Sequence, residues 1–171
     1  SEVAEELNKK IEDNKFKTHT ISSKVNSKPT LLINDYFEDY EKISTYISKL
    51  KNPYVVFFNG YLRENRPNYY PTMGEIFETF KINFRTPLFL TLKIDKNNKN
   101  TKFIYISTIA SVKPREKNYI YGISKSLLEK SVSGLEVDYL FLRFGKIKTK
   151  MSEKHSDPPF TLNKSEAASL I

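Results

Sequence analysis

Residues Tyr54-Val-Val-Phe-Phe58 are apolar without interruption and stop at Asn59-Gly60. A strand with one wet face alternates polar and apolar residues. An unbroken apolar run suits a strand buried on both faces, and such strands belong to parallel sheets covered by helices. Phe103-Ile-Tyr-Ile106 repeats the pattern and gives way to Ser107-Thr108. Val137–Arg143 is read as a further strand, with Gly145 just beyond it. Shorter stretches at 16–22 and Thr30–Ile33 end at Ser23-Lys24 and Asn34-Asp35.

Helical spacing fills the intervals. Residues 2–13 place Val3, Ala4, Leu7 and Ile11 on one stripe, and 38–50 do the same with Ile43, Tyr46, Ile47 and Leu50. Residues 73–94 form a longer helical pattern, in which Pro87 is expected to kink the helix or cut it in two. A helix over roughly 119–132 is closed by Gly134. Strands alternating with helices predict an α/β domain with a mainly parallel sheet. Ligands of such sheets bind outside the carboxyl ends of the strands. The polar breaks at Ser23/Lys24, Asn34/Asp35, Asn59/Gly60, Ser107/Thr108 and Gly145/Thr149 all fall on that edge.

A chain of 171 residues makes one domain, residues 1–171, and 39% apolar content makes it globular. With no cysteine there is no disulfide and no thiolate metal site, which fits a reducing compartment. No apolar stretch approaches the ~18 residues that span a bilayer, so a cytoplasmic protein is expected. The net charge of +8 raises nucleic-acid binding as a reading. The basic residues are scattered, however, at Lys9-Lys10, Lys15, Lys17, Lys93, Lys96 and Lys99, and no nucleic-acid-binding motif appears. No nucleic-acid partner is expected, and an anionic cofactor or substrate accounts for the charge as well. His19 and His155 stand alone without ligand spacing, so no metal is expected.

Tyr121-Gly-Ile-Ser-Lys125 carries chemistry if its surroundings build a site. A tyrosine and a lysine four positions apart share one helix face, and an ammonium beside a phenol favours the phenolate. The same spacing also occurs on ordinary solvated helices.

Asn59-Gly60 after a buried strand, Asn83 in the next helix, Ser107-Thr108 after the following strand, Tyr121-x-x-x-Lys125, and Phe144-Gly145-Lys-Ile-Lys-Thr149 occur in one order. In that order they resemble the short-chain dehydrogenase/reductases, over most of the chain. The resemblance implies a Rossmann-like, doubly wound sheet and an NAD(P)H-dependent oxidoreductase. Tyr121 would be the general acid for a substrate carbonyl. Lys125 would hold the cofactor ribose and lower the Tyr121 pKa. Asn83 would hold a water in a proton relay, or else serve structurally within its helix. The family's substrate-binding serine falls at Thr108, with Ser107 as the alternative. Asn59, Gly60, Asp35, Ile147 and Thr149 would contact the cofactor together with Tyr121 and Lys125. Ser23 and Lys24 suit a 2′-phosphate, which favours NADP over NAD. The stretch Arg143–Leu162 is also similar to the keto-sugar reductases of decaprenylphosphoryl-arabinose synthesis. The helices at 73–94 and 119–132 would form the interface of a homodimer or homotetramer. A small-molecule carbonyl would be the substrate. The alternative is a non-catalytic relative that binds a dinucleotide or a partner.

The family's Gly-x-x-x-Gly-x-Gly phosphate loop is absent from the sequence. The strand before it is central in the family's sheet, between the strands at 16–22 and 54–58. Without it the sheet would have two unpaired inner edges. The expectation is therefore a sheet incomplete at both ends; the competing account is a degenerate member unable to bind pyrophosphate.

Overall fold

The computed structural model describes residues 2–12, 17–22, 30–62, 70–113, 118–150, 152 and 160–171. Its centre is a three-stranded parallel sheet. β3 (Tyr54–Phe57) and β5 (Asp138–Phe144) flank β4 (Lys102–Thr108), and the register sets Phe57 beside Tyr105 and Tyr105 beside Phe141. Those three rings stack across the strands, with centroids 5.1 and 4.9 Å apart. Side chains alternate between the faces of a strand, so Phe103, Tyr105 and Ser107 point to one face and Ile104, Ile106 and Thr108 to the other. The buried Tyr105 hydroxyl is 2.6 Å from Thr91 Oγ1, which satisfies a polar group that would be costly to bury alone.

On the Tyr105 face lie α2 (Tyr40–Ser48), α4 (Thr86–Asn97) and α5 (Tyr119–Ser133), through Ile43, Ile47, Leu90, Ile94, Leu128 and Val132. On the other face α1 (Glu2–Glu12) and α6 (Lys164–Ser169) bring Val3, Leu7, Ala167 and Ala168 against Phe144, Ile106 and Leu142. Helices on both faces of parallel strands make the doubly wound α/β architecture. β1 (Ile21–Ser22) and β2 (Leu31–Leu32) form a second parallel pair, whose Ile21, Leu31 and Ile33 join the first core. Among the described residues, no hydrogen-bonded pairing joins β1 to β3. No helix among them is long and apolar enough to cross a membrane.

The long helix is not broken at Pro87. It begins as α3 (Met73–Phe80), capped reciprocally by Thr72 and Glu75, and passes through a π-helical turn at Lys81–Arg85 before α4. Pro87 sits just inside α4, where a missing N–H costs little. The wider turn before it has a definite cause. The Thr86 N–H bonds to the Lys81 carbonyl, and Pro87 has no N–H to offer, so the Ile82 carbonyl has neither of its helical donors.

Candidate active site

The π-turn opens a place for side chains from two other elements. Asn59, at the end of β3, donates from Nδ2 to the freed Ile82 carbonyl at 2.6 Å. Asn83, fully buried in the turn, accepts from the Tyr61 N–H at 2.7 Å. Its Nδ2 donates to the Tyr61 carbonyl at 2.9 Å and to Ser124 Oγ at 3.1 Å. Ser124 donates in turn to the Tyr121 carbonyl at 2.8 Å. Asn83 therefore ties the π-turn, the loop after β3 and the start of α5 together.

Tyr121, Lys125 and Glu129 follow one another at one-turn spacing on the face of α5 turned toward the sheet. Lys125 is only 2% exposed. Its ammonium donates to the carbonyls of Asn59 at 2.7 Å and Ile106 at 3.1 Å, at the carboxyl ends of β3 and β4. Burial pulls the Lys125 pKa down to about 8, against the opposing field of Glu129. Burial also pushes the Tyr121 phenol up to about 12. The expected lowering of the Tyr121 pKa by Lys125 is thus not found. The shared face holds, but the ammonium is spent on two backbone carbonyls.

Ser107 and Thr108 part company. Ser107 points to the α5 side and donates to Glu129 Oε1 at 2.5 Å. Thr108 ends β4, and its Oγ1 accepts from the Ala110 N–H at 3.2 Å. Among the described residues the Thr108 hydroxyl proton has no acceptor. Of the two hydroxyls, only that of Thr108 is free to donate outward. The 3₁₀ turn Ile109–Ser111 that follows is pressed against α5 at Gly122, where a Cβ would lie 2.5 Å from the Ala110 carbonyl oxygen.

Asp35 follows β2 and accepts from the N–H groups of Phe37 at 2.7 Å and Glu38 at 3.1 Å, with Lys81 Nζ at 3.4 Å. Partial burial opposes its charge, but those N–H groups and Lys81 outweigh it and hold the carboxyl below the usual range. Gly60 is exposed beside Asn59. Asn59 Oδ1 is buried without a hydrogen-bond partner among the described residues. Ile147 forms an isolated parallel bridge with Leu162 and packs into the α1–α6 cluster. The Thr149 N–H donates to Ser152 Oγ at 3.0 Å. Ser23 and Lys24 lie outside the described residues. His19 is engaged with Tyr46, its Nδ1 2.5 Å from the phenol oxygen, and no metal-ligating cluster exists among the described residues.

Glu129 was not anticipated. It accepts from Ser107, from Ser111 Oγ at 2.8 Å, and from Arg143 Nε and a terminal guanidinium nitrogen, the latter at 2.8 Å. The signal was available in the sequence, since Glu129 extends the four-residue spacing of Tyr121 and Lys125 by one step.

No protein-family model matches the chain, and no curated protein does. Solved structures do resemble it. A short-chain dehydrogenase from Burkholderia cenocepacia in complex with NADP superposes with a TM-score of 0.75 at 14% identity, over 98% of this chain and 76% of that one. A short-chain dehydrogenase/reductase from Vibrio parahaemolyticus gives 0.75 at 15% identity, over 99% and 84%. A carbonyl reductase from Pseudomonas aeruginosa gives 0.72 at 14% identity, over 98% and 83%. At these identities the likeness is one of fold, and it makes the chain's fold the Rossmann-like α/β architecture of those enzymes.

Proposed function

We propose that this protein is an NADP(H)-dependent oxidoreductase that reduces a small-molecule carbonyl. The observation that carries the reading is one arrangement. Tyr121 and Lys125 face the sheet from α5, Asn83 locks the π-turn beside them through Ser124, and Thr108 brings an undonated hydroxyl to the same strand end. The buried phenol keeps its proton at neutral pH, as a general acid must before it donates; a pKa of about 12 lies above the range in which proton transfer is most efficient, so the support for Tyr121 is its position and not its acidity. Thr108 would hold the substrate carbonyl by a second hydrogen bond.

The residues fit the nicotinamide riboside. Asn59 Oδ1 is a buried acceptor awaiting a donor, and Lys125 supplies a cation at the same strand end. Lys125, Asn59 and Gly60 would hold that part of the cofactor, which when bound supplies a hydride to the carbonyl carbon. NADP is preferred to NAD because Ser23 and Lys24 suit a 2′-phosphate, and the Burkholderia structure was solved with NADP. The narrower keto-sugar reading is supported by the sequence of 143–162, of which Met151 and 153–159 lie outside the described residues.

A specific observation favours a second reading, a relative that binds the dinucleotide without turnover: Lys125 is committed to two carbonyls. The experiment that separates them is titration with NADPH and NADH followed by carbonyl reduction assays on wild type and Tyr121→Phe. The reductase reading expects tighter NADPH binding, turnover by wild type, and a loss of roughly 10²-fold or more in Tyr121→Phe with binding retained. Binding without turnover in wild type supports the second reading; undiminished turnover in the variant sinks the assignment of Tyr121. A homodimer through α3, α4 and α5 completes the proposal, supported by the apolar side chains these helices expose.

A further inference from the structure

We propose that Glu129 is a positioning residue, which through Ser107, Ser111 and Arg143 fixes the turn bearing Thr108 against the helix bearing Tyr121 and Lys125. The inference rests on the reductase reading of the site.

The geometry is that of a clamp. The Glu129 carboxylate gathers hydroxyls from the end of β4 and from the 3₁₀ turn, and the guanidinium of Arg143 from β5 grips both its oxygens. The Glu129 side chain is 12% exposed, so its bonds to Ser107 and Ser111 form in a poorly solvated place where their loss is costly, whereas Arg143 is 46% exposed and its pairing is screened by water. The single Ser111 hydroxyl proton is shared between the Glu129 carboxylate and the Thr108 carbonyl, 2.7 Å away, so the carboxylate reaches the Thr108 backbone through a bifurcated hydrogen bond. Its hold on Ser107 turns that hydroxyl toward α5 and leaves Thr108 as the outward donor. Partial burial opposes the Glu129 charge, but Arg143, Ser107 and Ser111 outweigh it and hold the carboxyl below the usual range.

The same carboxylate acts on Lys125 one turn earlier. Its field works to keep the ammonium charged against burial. Of the acids on the helices packed against α5, Glu75 accepts from the Thr72 N–H, Asp95 is paired with Lys99, and Glu78 is exposed to solvent. Tyr105 is bonded to Thr91, Lys81 to Asp35, Arg143 to Glu129, and Arg85 lies over the Phe37 ring. Tyr121 shares the face but is neutral at ordinary pH. Glu129 is thus the anion available to Lys125.

The test compares wild type, Glu129→Gln and Ser111→Ala. Hydrogen exchange of the amides at 107–112 should quicken roughly ten- to a hundredfold in Glu129→Gln, the factor that loss of a charged hydrogen bond carries. Ser111→Ala should quicken the same amides less. In ¹³C-lysine NMR, Lys125 should titrate about one unit lower in Glu129→Gln than in wild type, and unchanged in Ser111→Ala. A role confined to holding the fold together would leave the lysine titration in place. Unchanged exchange, or an unshifted lysine, overturns the proposal. Both readouts are made without cofactor. Failure of wild type to bind NADPH would therefore count against the reductase reading alone.

Discussion

At the scale of a single residue, the burial of Lys125 makes a measurable claim. Its pKa of about 8 in the fold lies below the ordinary 10.5. Between those values the unfolded chain holds a proton that the folded chain has released, so stability rises with pH across that window. The depression amounts to about 3–4 kcal/mol when integrated. Tyr121 acts in the opposite sense above pH 10, because the fold retains a proton that the unfolded chain gives up there. The rise should therefore be seen from pH 8 to about 10. Urea unfolding of wild type and Lys125→Met at pH 7 to 9.5 checks this. The variant loses the donor to two carbonyls at every pH, but the wild-type advantage should widen as pH increases. Parallel curves would mean that the ammonium is not penalised by burial.

The elements around that lysine were partly legible beforehand. Unbroken apolar runs located β3 and β4, because only a strand covered on both faces needs such a run, and Asn59-Gly60 and Ser107-Thr108 marked their ends. The spacing of Tyr121 and Lys125 fixed a shared helix face but not the direction of the ammonium, which depends on carbonyls from two distant strands. Pro87 announced an irregularity, while its form followed from where the Thr86 N–H and the Asn59 side chain settle. The partnership of Glu129 with Ser107, Ser111 and Arg143 is a tertiary fact that only the spacing hinted at. One element-level consequence concerns Gly122. Its bare Cα lets α5 approach the turn after β4, and a methyl there would stand 2.5 Å from the Ala110 oxygen, a backbone atom that cannot rotate away. Gly122→Ala should cost about 1–3 kcal/mol, despite alanine's better helix propensity. It should also move Thr108 relative to Tyr121. Denaturation midpoint and turnover are expected to fall together; a stabilised Gly122→Ala would show that the helix and the turn are not in contact.

Over the whole molecule, α5 carries two stripes of the same spacing on opposite sides. Tyr121, Lys125 and Glu129 face the sheet, and Tyr119, Ile123 and Leu127 face away, with Ile123 44% exposed. The adjacent α3 exposes Met73 and Phe77, the latter 66% accessible, and α4 exposes Leu92. A helix whose inner face builds the site and whose outer face is apolar favours burial of that outer face, since each such side chain contributes about 1.5–3 kcal/mol when fully buried. A second copy of the chain brings a matching apolar face through two-fold symmetry. The +8 charge opposes association at long range, so salt should strengthen the dimer rather than weaken it. Sedimentation velocity is expected to show a dimer for wild type at micromolar concentration and a monomer for Ile123→Glu. The variant should retain its fold by circular dichroism, because the outward stripe contributes nothing to the inner core. A wild-type monomer across salt and concentration would leave the apolar stripe without its proposed occupant.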